Sequence, residues 1–409
     1  MSTTVLRHRQ EIYPPTQLCL MSGEIMPNVI GVLHAASESV IPVVTEQTQT
    51  QVESFERALR AAGSNARLLP AVQVLPFDME DCLQTLRQAM SAHPKLLVNW
   101  TGGTKIMSFA ARRMAEELKL KSLYVNTAAR QILFEDLETH TRRTELIDSA
   151  ALNLNVLVYL CAGGHRVEGA ETFQEYRRRC TPDPALVRAA TFILDTNTNE
   201  RTDLYRLAEA ENQPYRPRSL DGNFLHALVK ARLIQPGPNP REYFLATETL
   251  LHPFYLQSPQ QQNAAFLRAT FLEVFLWDQI KSRSAVDDVA WHVVLNPGET
   301  GRIVELDLMM AADGRFLVLE CKSNVELNDL ADLIEEQYAR TRQIGRLFGQ
   351  WVLYIHRHRN EFNRANAADI IRSQEQKARH YGGCLMWQED LVDLPIKVSE
   401  MLSSGRAGA

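Results

Sequence analysis

The chain has 409 residues, 45% hydrophobic and 23% charged, and a prior of roughly 100–200 residues per domain divides it into about two to four ordinary soluble units. Its formal net charge of -5 gives no bulk attraction for nucleic acid, so any such contact must come from a local patch. No apolar run approaches the ~20 residues that cross a bilayer, the start of the chain with Arg7, Arg9 and Pro14-Pro15 lacks a signal-peptide core, and the six cysteines form no C-x-x-C pair; a membrane span, a zinc ribbon and a redox motif are disfavoured, and a cytoplasmic protein is expected.

Residues 18–21, 40–45, 67–74, 96–100, 123–126 and 132–134 are short apolar runs, and helical patterns over 27–34, 49–62, 78–92 and 104–118 separate most of them. Strands alternating with helices predict a parallel, doubly wound α/β sheet, so residues 1–150 read as a Rossmann-like domain. Such sheets bind ligands beyond the carboxyl ends of their strands. Two loops lie there: Ser22-Gly23-Glu24-Ile25-Met26-Pro27-Asn28 after the first run, and Thr101-Gly102-Gly103-Thr104-Lys105 after the run ending at Trp100. Adjacent glycines let backbone N–H groups turn inward, the following helix N-terminus adds partial positive charge, and Lys105 adds a full one, which together make a phosphate cradle. The G-x-x-x-x-G-K-(S/T) and G-x-G-x-x-G patterns are both missing, which disfavours ATP hydrolysis and NAD binding. For this loop alone, a strand-to-helix turn without a ligand is the plainer reading.

Residues 151–262 read as three short helices (182–194, 201–210, 219–230) followed by strand, turn and strand over 233–246. That order resembles a winged helix. A DNA reader needs basic residues on its third helix, and this one offers only Lys230, with Arg216 and Arg218 just before it; a structural or dimer-forming role is the expectation.

From residue 263 on, the pattern over 264–281 is apolar nearly all round, which predicts a buried helix, yet Glu273 sits in its middle. A carboxylate there is costly without a partner or a metal; pairing with Arg268 or near Lys281 is the alternative. Two apolar runs then flank Asp313-Gly314, the signal of a two-residue hairpin turn. If Ala312 pairs with Arg315, Asp307 lies opposite Glu320 and Glu305 opposite Lys322, with Cβ atoms roughly 4.5–5.5 Å apart. Alternation puts Ile303, Glu305, Asp307 and Met309 on one side, with Phe316, Val318, Glu320 and Lys322. Opposed like charges destabilise a strand pair, so unless one acid is protonated a cation between them is the simplest remedy, and oxygen ligands suit Mg²⁺ or Mn²⁺. Lys322 would then stand beside a metal-bound water. The plainer reading is an ordinary Glu305–Lys322 ion pair beside two solvated acids. An amphipathic helix (327–347) and strands at 351–355 and 384–387 follow, and the excess of basic residues from Arg340 to Arg379 is either a nucleic-acid patch or a solvated face.

Asp307, a short gap, then Glu320-Cys321-Lys322 is similar to the D…(D/E)-x-K signature of the PD-(D/E)xK nuclease superfamily, whose members cut nucleic acid with a divalent metal; Leu306 stands where the motif's name has Pro. That superfamily often carries a further acid on a helix before the hairpin, where Glu273 lies. The stretch Asn99-Trp100-Thr101-Gly102-Gly103-Thr104-Lys105, with the Ser22-Gly23 loop, resembles the CRISPR-associated Rossmann-fold (CARF) sensor domain. In this order the two resemble the CARF-nuclease effectors of type III CRISPR defence. The resemblance implies an α/β chain: a Rossmann-like CARF domain (1–150), a winged-helix-like region (151–262) and a PD-(D/E)xK restriction-endonuclease-like α/β domain (263–409). It implies a homodimer whose CARF domains bind a cyclic oligoadenylate, most often cyclic tetra-adenylate, as allosteric activator through Ser22, Gly23, Asn28, Thr45, Thr101, Gly102, Gly103, Thr104 and Lys105. It also implies a Mn²⁺- or Mg²⁺-dependent endonuclease acting on single-stranded DNA, duplex DNA or RNA. Asp307, Glu320 and the Cys321 carbonyl would hold the metal, Lys322 would position the water, and Glu273 would support either. Two rivals remain: a nucleotide-sensing winged-helix regulator with a silent nuclease fold, and an enzyme that cleaves its own cyclic nucleotide.

Overall fold

In the computed structural model, which describes residues 12–168, 170, 172–210, 213–251, 258–296, 304–312, 315–323, 325–345, 349–362 and 364–404, strand β1 (Thr16–Leu20) is buried from its second residue on. That is the environment of a central strand covered on both faces. Around it run β2 (Ser39–Val44), β3 (Arg67–Leu68), β4 (Val72–Gln73), β5 (Leu96–Asn99) and β6 (Lys121–Asn126), all parallel, in the order β3-β2-β1-β5-β6 with β4 also beside β2. The run expected at 67–74 is thus two short strands. Strands β7 (Gln131–Asp136) and β8 (Thr141–Leu146) extend the sheet antiparallel, so it is mixed rather than wholly parallel. Helices α1 (Met26–Ala35) and α2 (Gln51–Ala61) pack on one face, and α3 (Met79–Ser91) and α4 (Lys105–Glu117) on the other.

Beyond this sheet, α5 (Val156–Ala162) is buried at every residue and capped by Asn155, which accepts from the Val158 N–H at 3.1 Å. It packs on α2, and its side chains share one continuous core with strands of the C-terminal sheet. The Val156 N–H donates to buried Asp288 at 3.0 Å, which also accepts from Tyr176 on α6 (Phe173–Arg179) at 2.7 Å. The two ends of the chain therefore meet on a shared apolar surface rather than across a loose linker. Helices α7 (Pro184–Leu194), α8 (Thr198–Glu209) and α9 (Gly222–Lys230) precede a two-stranded antiparallel ladder of β9 (Ile234–Pro236) and β10 (Tyr243–Leu245).

The helix expected at 264–281 is a compound one: α10 (Pro259–Ala265), a π-helical turn over Phe266–Thr270, and α11 (Phe271–Arg283). It leads into a five-stranded sheet that keeps chain order: β11 (Asp288–Leu295), β12 (Val304–Ala312), β13 (Arg315–Lys322), β14 (Gly349–Ile355) and β15 (Gly383–Trp387). The first three are antiparallel neighbours, the last three parallel. Ala312 pairs with Arg315; the turn residues Asp313 and Gly314, with Arg302 and Ile303, lie outside the described residues. Helices α12 (Leu330–Gly345) and α13 (Ala367–His380) cover one face, while α11 and α14 (Leu394–Ser404) cover the other. Among the described residues no helix is long and apolar enough to cross a membrane.

Candidate functional site

The β12–β13 ladder ends at Leu308↔Leu319. One step further, where the register sets Asp307 against Glu320, the Asp307 carboxylate instead accepts the Cys321 backbone N–H at 2.7 Å. The strands part there, and a cleft of about 610 Å³ opens, lined by Asp307, Glu320, Lys322, Glu305 and, from α12, Glu336 and Arg340. Lys322 Nζ lies 2.7 Å from Glu320, not on Glu305; Glu305 meets His292 at 3.2 Å. The expected cross-strand Glu305–Lys322 pair is thus replaced by a Lys322–Glu320 pair within one strand, because residues two apart share a face. Arg340 Nη1 takes Glu320's second oxygen at 3.0 Å. Glu273 does not pair with Arg268, which bonds the Ala208 carbonyl; it accepts from the Trp291 indole at 3.1 Å.

Three acids crowded at a partly buried spot cannot all ionise freely. Burial, and then the charge of Glu320, push the Asp307 carboxyl up to about 7. Glu273 is driven well above the carboxylate range by burial and by Asp307 and Glu305. Burial pulls Lys322 down, but the charge and hydrogen bond of Glu320 outweigh it and the ammonium is strengthened. Burial raises Glu305, but its bond to His292 and nearby cations hold it below the ordinary range. His292 itself takes φ 49° within β11, opposite Asp307 in a ladder that pairs Trp291 with Leu308 and Val293 with Leu306. A left-handed non-glycine residue inside a strand costs roughly 1–3 kcal/mol, and such strain gathers at functional sites.

Among the described residues no three His, Cys, Asp or Glu side chains form a ready ion cage. Mg²⁺ and Mn²⁺ do not need one: they keep several waters and bind through one or two carboxylates, which Asp307 and Glu320 supply. The charge that lifts Asp307 is the charge such an ion would neutralise. Cys321 sits between the two acids, its backbone already bonded to Asp307 and its thiol buried and raised well above the usual range.

In the N-terminal sheet the chain winds from β1 to β2 on one side and from β5 to β6 on the other, so the switch point falls between β1 and β5. The loops after these two strands carry the predicted cradle, and they interlock. The Asn28 amide, buried, donates to the Leu20 carbonyl at 2.7 Å. A Cβ on Gly102 would lie 2.0 Å from that same carbonyl oxygen, so only glycine permits the approach; Gly103 follows at φ 76°. Thr101 donates to Asn99 at 2.6 Å and accepts the Val125 N–H at 2.8 Å, and Thr104 caps α4 by accepting from Met107 while donating to the Pro76 carbonyl at 2.6 Å. Ser22 donates to the Glu24 carbonyl at 2.8 Å. Thr45, buried at the end of β2, bonds Thr48. Gly23 and Lys105 are exposed. Asn28, Thr101 and Thr104 therefore hold the loops in shape, while Gly23 and Lys105 face outward.

Two features escape sequence reasoning. Arg340, which the sequence offers only as one member of a basic stretch, enters the acidic cleft from α12. Leu75, Phe77 and Met79 are exposed around Pro76, whose carbonyl accepts from Thr104, with Phe77 77% exposed.

Residues 16–155 match the family model described as the Card1 CARF domain. No curated protein matches the sequence. Among solved structures, the chain is similar to Can2 from Sulfobacillus thermosulfidooxidans in complex with cyclic tetra-adenylate, at 18% identity over 96% of this chain and 99% of Can2, with a TM-score of 0.61. It is similar to protein VC1899 from Vibrio cholerae at 14% identity over 96% and 99% of the two chains, with a TM-score of 0.65. A type III CRISPR defence DNA nuclease activated by cyclic oligoadenylate aligns at 18% identity over 84% of this chain and 45% of its own, with a TM-score of 0.51. At such identities the likeness concerns the fold. Taken with the interlocked loops at the β1–β5 switch point, residues 16–155 form a CARF domain of the Card1 type.

Proposed function

We propose that this chain is a type III CRISPR effector, a divalent-metal-dependent endonuclease that cuts DNA or RNA in the cytoplasm when a dimer of its CARF domains binds cyclic oligoadenylate, cyclic tetra-adenylate first among them. The observation that carries the reading is the convergence of Asp307, Glu320 and Lys322 in one open cleft, on a chain whose other end is a CARF domain. The overall likeness to Can2, whose structure holds cyclic tetra-adenylate, supports the choice of ligand.

A bound Mg²⁺ or Mn²⁺ would supply Lewis acidity at the phosphate and lower the pKa of a bound water. Asp307 and Glu320, with the Cys321 backbone beside them, would hold it. Lys322, kept fully charged by Glu320, orients the attacking water and offsets charge building on the phosphate. Glu273 approaches from the opposite face of the sheet, beside Trp291 and near Asp307; its raised pKa suits it to exchange a proton with that water. At the other end, Lys105 and the backbone N–H groups of residues 101–105 receive ligand phosphates. The exposed side chains of Leu75, Phe77 and Met79 offer apolar surface that a second copy would cover, and a two-fold pair suits a cyclic ligand. The regulator reading finds less support: α9 exposes Asn223, His226 and Lys230, and Arg216 is engaged with Glu242 at 2.6 Å.

The test is cleavage of labelled single-stranded DNA, supercoiled plasmid and RNA, with Mn²⁺ or Mg²⁺, with and without cyclic tetra-adenylate, beside Asp307→Ala. Cleavage that requires both metal and ligand and disappears in the variant is the expected result. Ligand binding without cleavage of any substrate would overturn the nuclease reading and return the regulator.

A further inference from the structure

Glu320 is only 7% exposed, and both of its oxygens are occupied: Lys322 Nζ lies 2.7 Å from one and Arg340 Nη1 3.0 Å from the other. For a buried carboxylate this is a satisfied state, two cations offsetting one charge and its desolvation. It is also a state that refuses a divalent ion. A doubly charged cation settling on Glu320 would stand a few ångströms from a guanidinium, beside a carboxylate too buried for water to screen the repulsion fully. For Glu320 to act as a ligand, Arg340 has to leave it.

The structure gives Arg340 a second place to stay. Glu336, one turn earlier on α12, holds its Nη2 at 2.7 Å and is itself 61% exposed in its side chain. A guanidinium tethered there remains in the cleft after releasing Glu320. Lys322 and Arg340 are the basic groups that line this cleft, where a substrate phosphate must enter an otherwise acidic space. A planar guanidinium fork matches phosphate oxygens two at a time, which an ammonium does not. The helix that carries Arg340 also meets the sensor side: Ile344, one turn further on, belongs to the core that contains α5. A shift of α5 would therefore change what Arg340 can reach.

We propose, building on the nuclease reading above, that Arg340 is a displaceable counter-ion: it occupies Glu320 in the resting site, yields that oxygen to the divalent cation, and, held by Glu336, clamps the phosphate of the nucleic-acid substrate. Two quantities separate this from a packing role. The first is Mn²⁺ affinity without nucleic acid, read by electron paramagnetic resonance titration. The second is affinity for the strand that the wild type cuts, read by fluorescence anisotropy with Ca²⁺ in place of the catalytic ion and cyclic tetra-adenylate present. In Arg340→Ala, Mn²⁺ binding should tighten by about tenfold, because a competing charge is gone. Strand binding should weaken by about tenfold, because a phosphate contact is lost. Arg340→Lys, which keeps the charge without the fork, should fall between wild type and alanine in both, and it carries the test if the alanine variant does not fold.

Affinities moving in opposite directions support the proposal. Mn²⁺ affinity that is unchanged or weaker, or strand affinity that is unchanged, overturns it while leaving the nuclease reading intact, provided the wild type binds Mn²⁺ and cuts. A wild type that binds no Mn²⁺ and cuts nothing overturns both.

Discussion

Replacing Asp307 by Asn should make the metal-free protein more stable while abolishing its metal response. The substitution keeps a side-chain oxygen for the Cys321 N–H, now accepted at 2.7 Å, and removes one negative charge from beside Glu320. Burial and Glu320 raise the Asp307 carboxyl from 3.8 to about 7. A carboxyl raised in the folded state costs stability once the pH exceeds its unfolded value, and the cost is complete above the folded one. At about 1.4 kcal/mol per pH unit, Asp307 alone would cost roughly 4 kcal/mol at pH 8 and less than half of that at pH 5. Glu273 and Glu320 relax around the changed site, so about half, roughly 2 kcal/mol at pH 8, is the expected gain; in a cooperative unit of about 150–250 residues this raises Tm by about 4–8 °C. Differential scanning calorimetry in EDTA at pH 8 and pH 5 measures it. The gap between variant and wild type should shrink at pH 5, and added Mn²⁺ should raise the wild-type Tm alone. An Asn variant no more stable than wild type at pH 8, or a gap equal at the two pH values, would refute the argument that burial and the charge of Glu320 raise Asp307.

The same proton predicts that Mn²⁺ affinity of the wild type rises with pH and levels off above about pH 7, as the carboxyl pushed up to about 7 releases its proton to solvent and frees its oxygen for the metal; a titration flat from pH 6 to 8 would contradict it. Gly102→Ala places a Cβ 2.0 Å from the Leu20 carbonyl oxygen, which forces the two loops apart; cyclic tetra-adenylate binding by calorimetry should be lost, with the CARF domain destabilised by about 2 kcal/mol or more. Gly163→Ala brings a Cβ within 2.8 Å of the Ile344 carbonyl, where α5 abuts the end of α12. Ligand affinity should stay as in wild type while the ratio of activated to basal cleavage changes several-fold, and an unchanged ratio would remove α5 from the coupling path.

Much of this was legible in the chain because it is local. Alternation and the pairing implied by the Asp313-Gly314 spacing set Asp307 against Glu320, and the observed Ala312↔Arg315 pair keeps that register as far as Leu308↔Leu319; beyond it the alternation breaks, since Leu306 shares a core with Met309 and not with Leu308. The loops after β1 and β5 follow from strand–helix alternation and from two adjacent glycines. The parts that stayed hidden lack a periodic signal. Thr141–Leu146, Thr-Arg-Arg-Thr-Glu-Leu, is a polar edge strand with no apolar face to read. The seven-residue α5 is apolar throughout, and periodicity alone cannot tell so short a run from a strand.

The chain alone names residues able to do chemistry and, where the backbone repeat is regular, the face on which each would stand. Only the tertiary structure decided their partners. Lys322 turns to Glu320 rather than Glu305, Glu273 reaches Asp307's neighbourhood from the other face of the sheet, and Arg340, on a separate helix, takes the second oxygen of Glu320. These choices rest on where the β12–β13 ladder parts and on how α12 lies along its sheet with its end meeting α5. Such packing minimises burial of unpaired charge over the whole molecule, and no stretch of sequence encodes it alone.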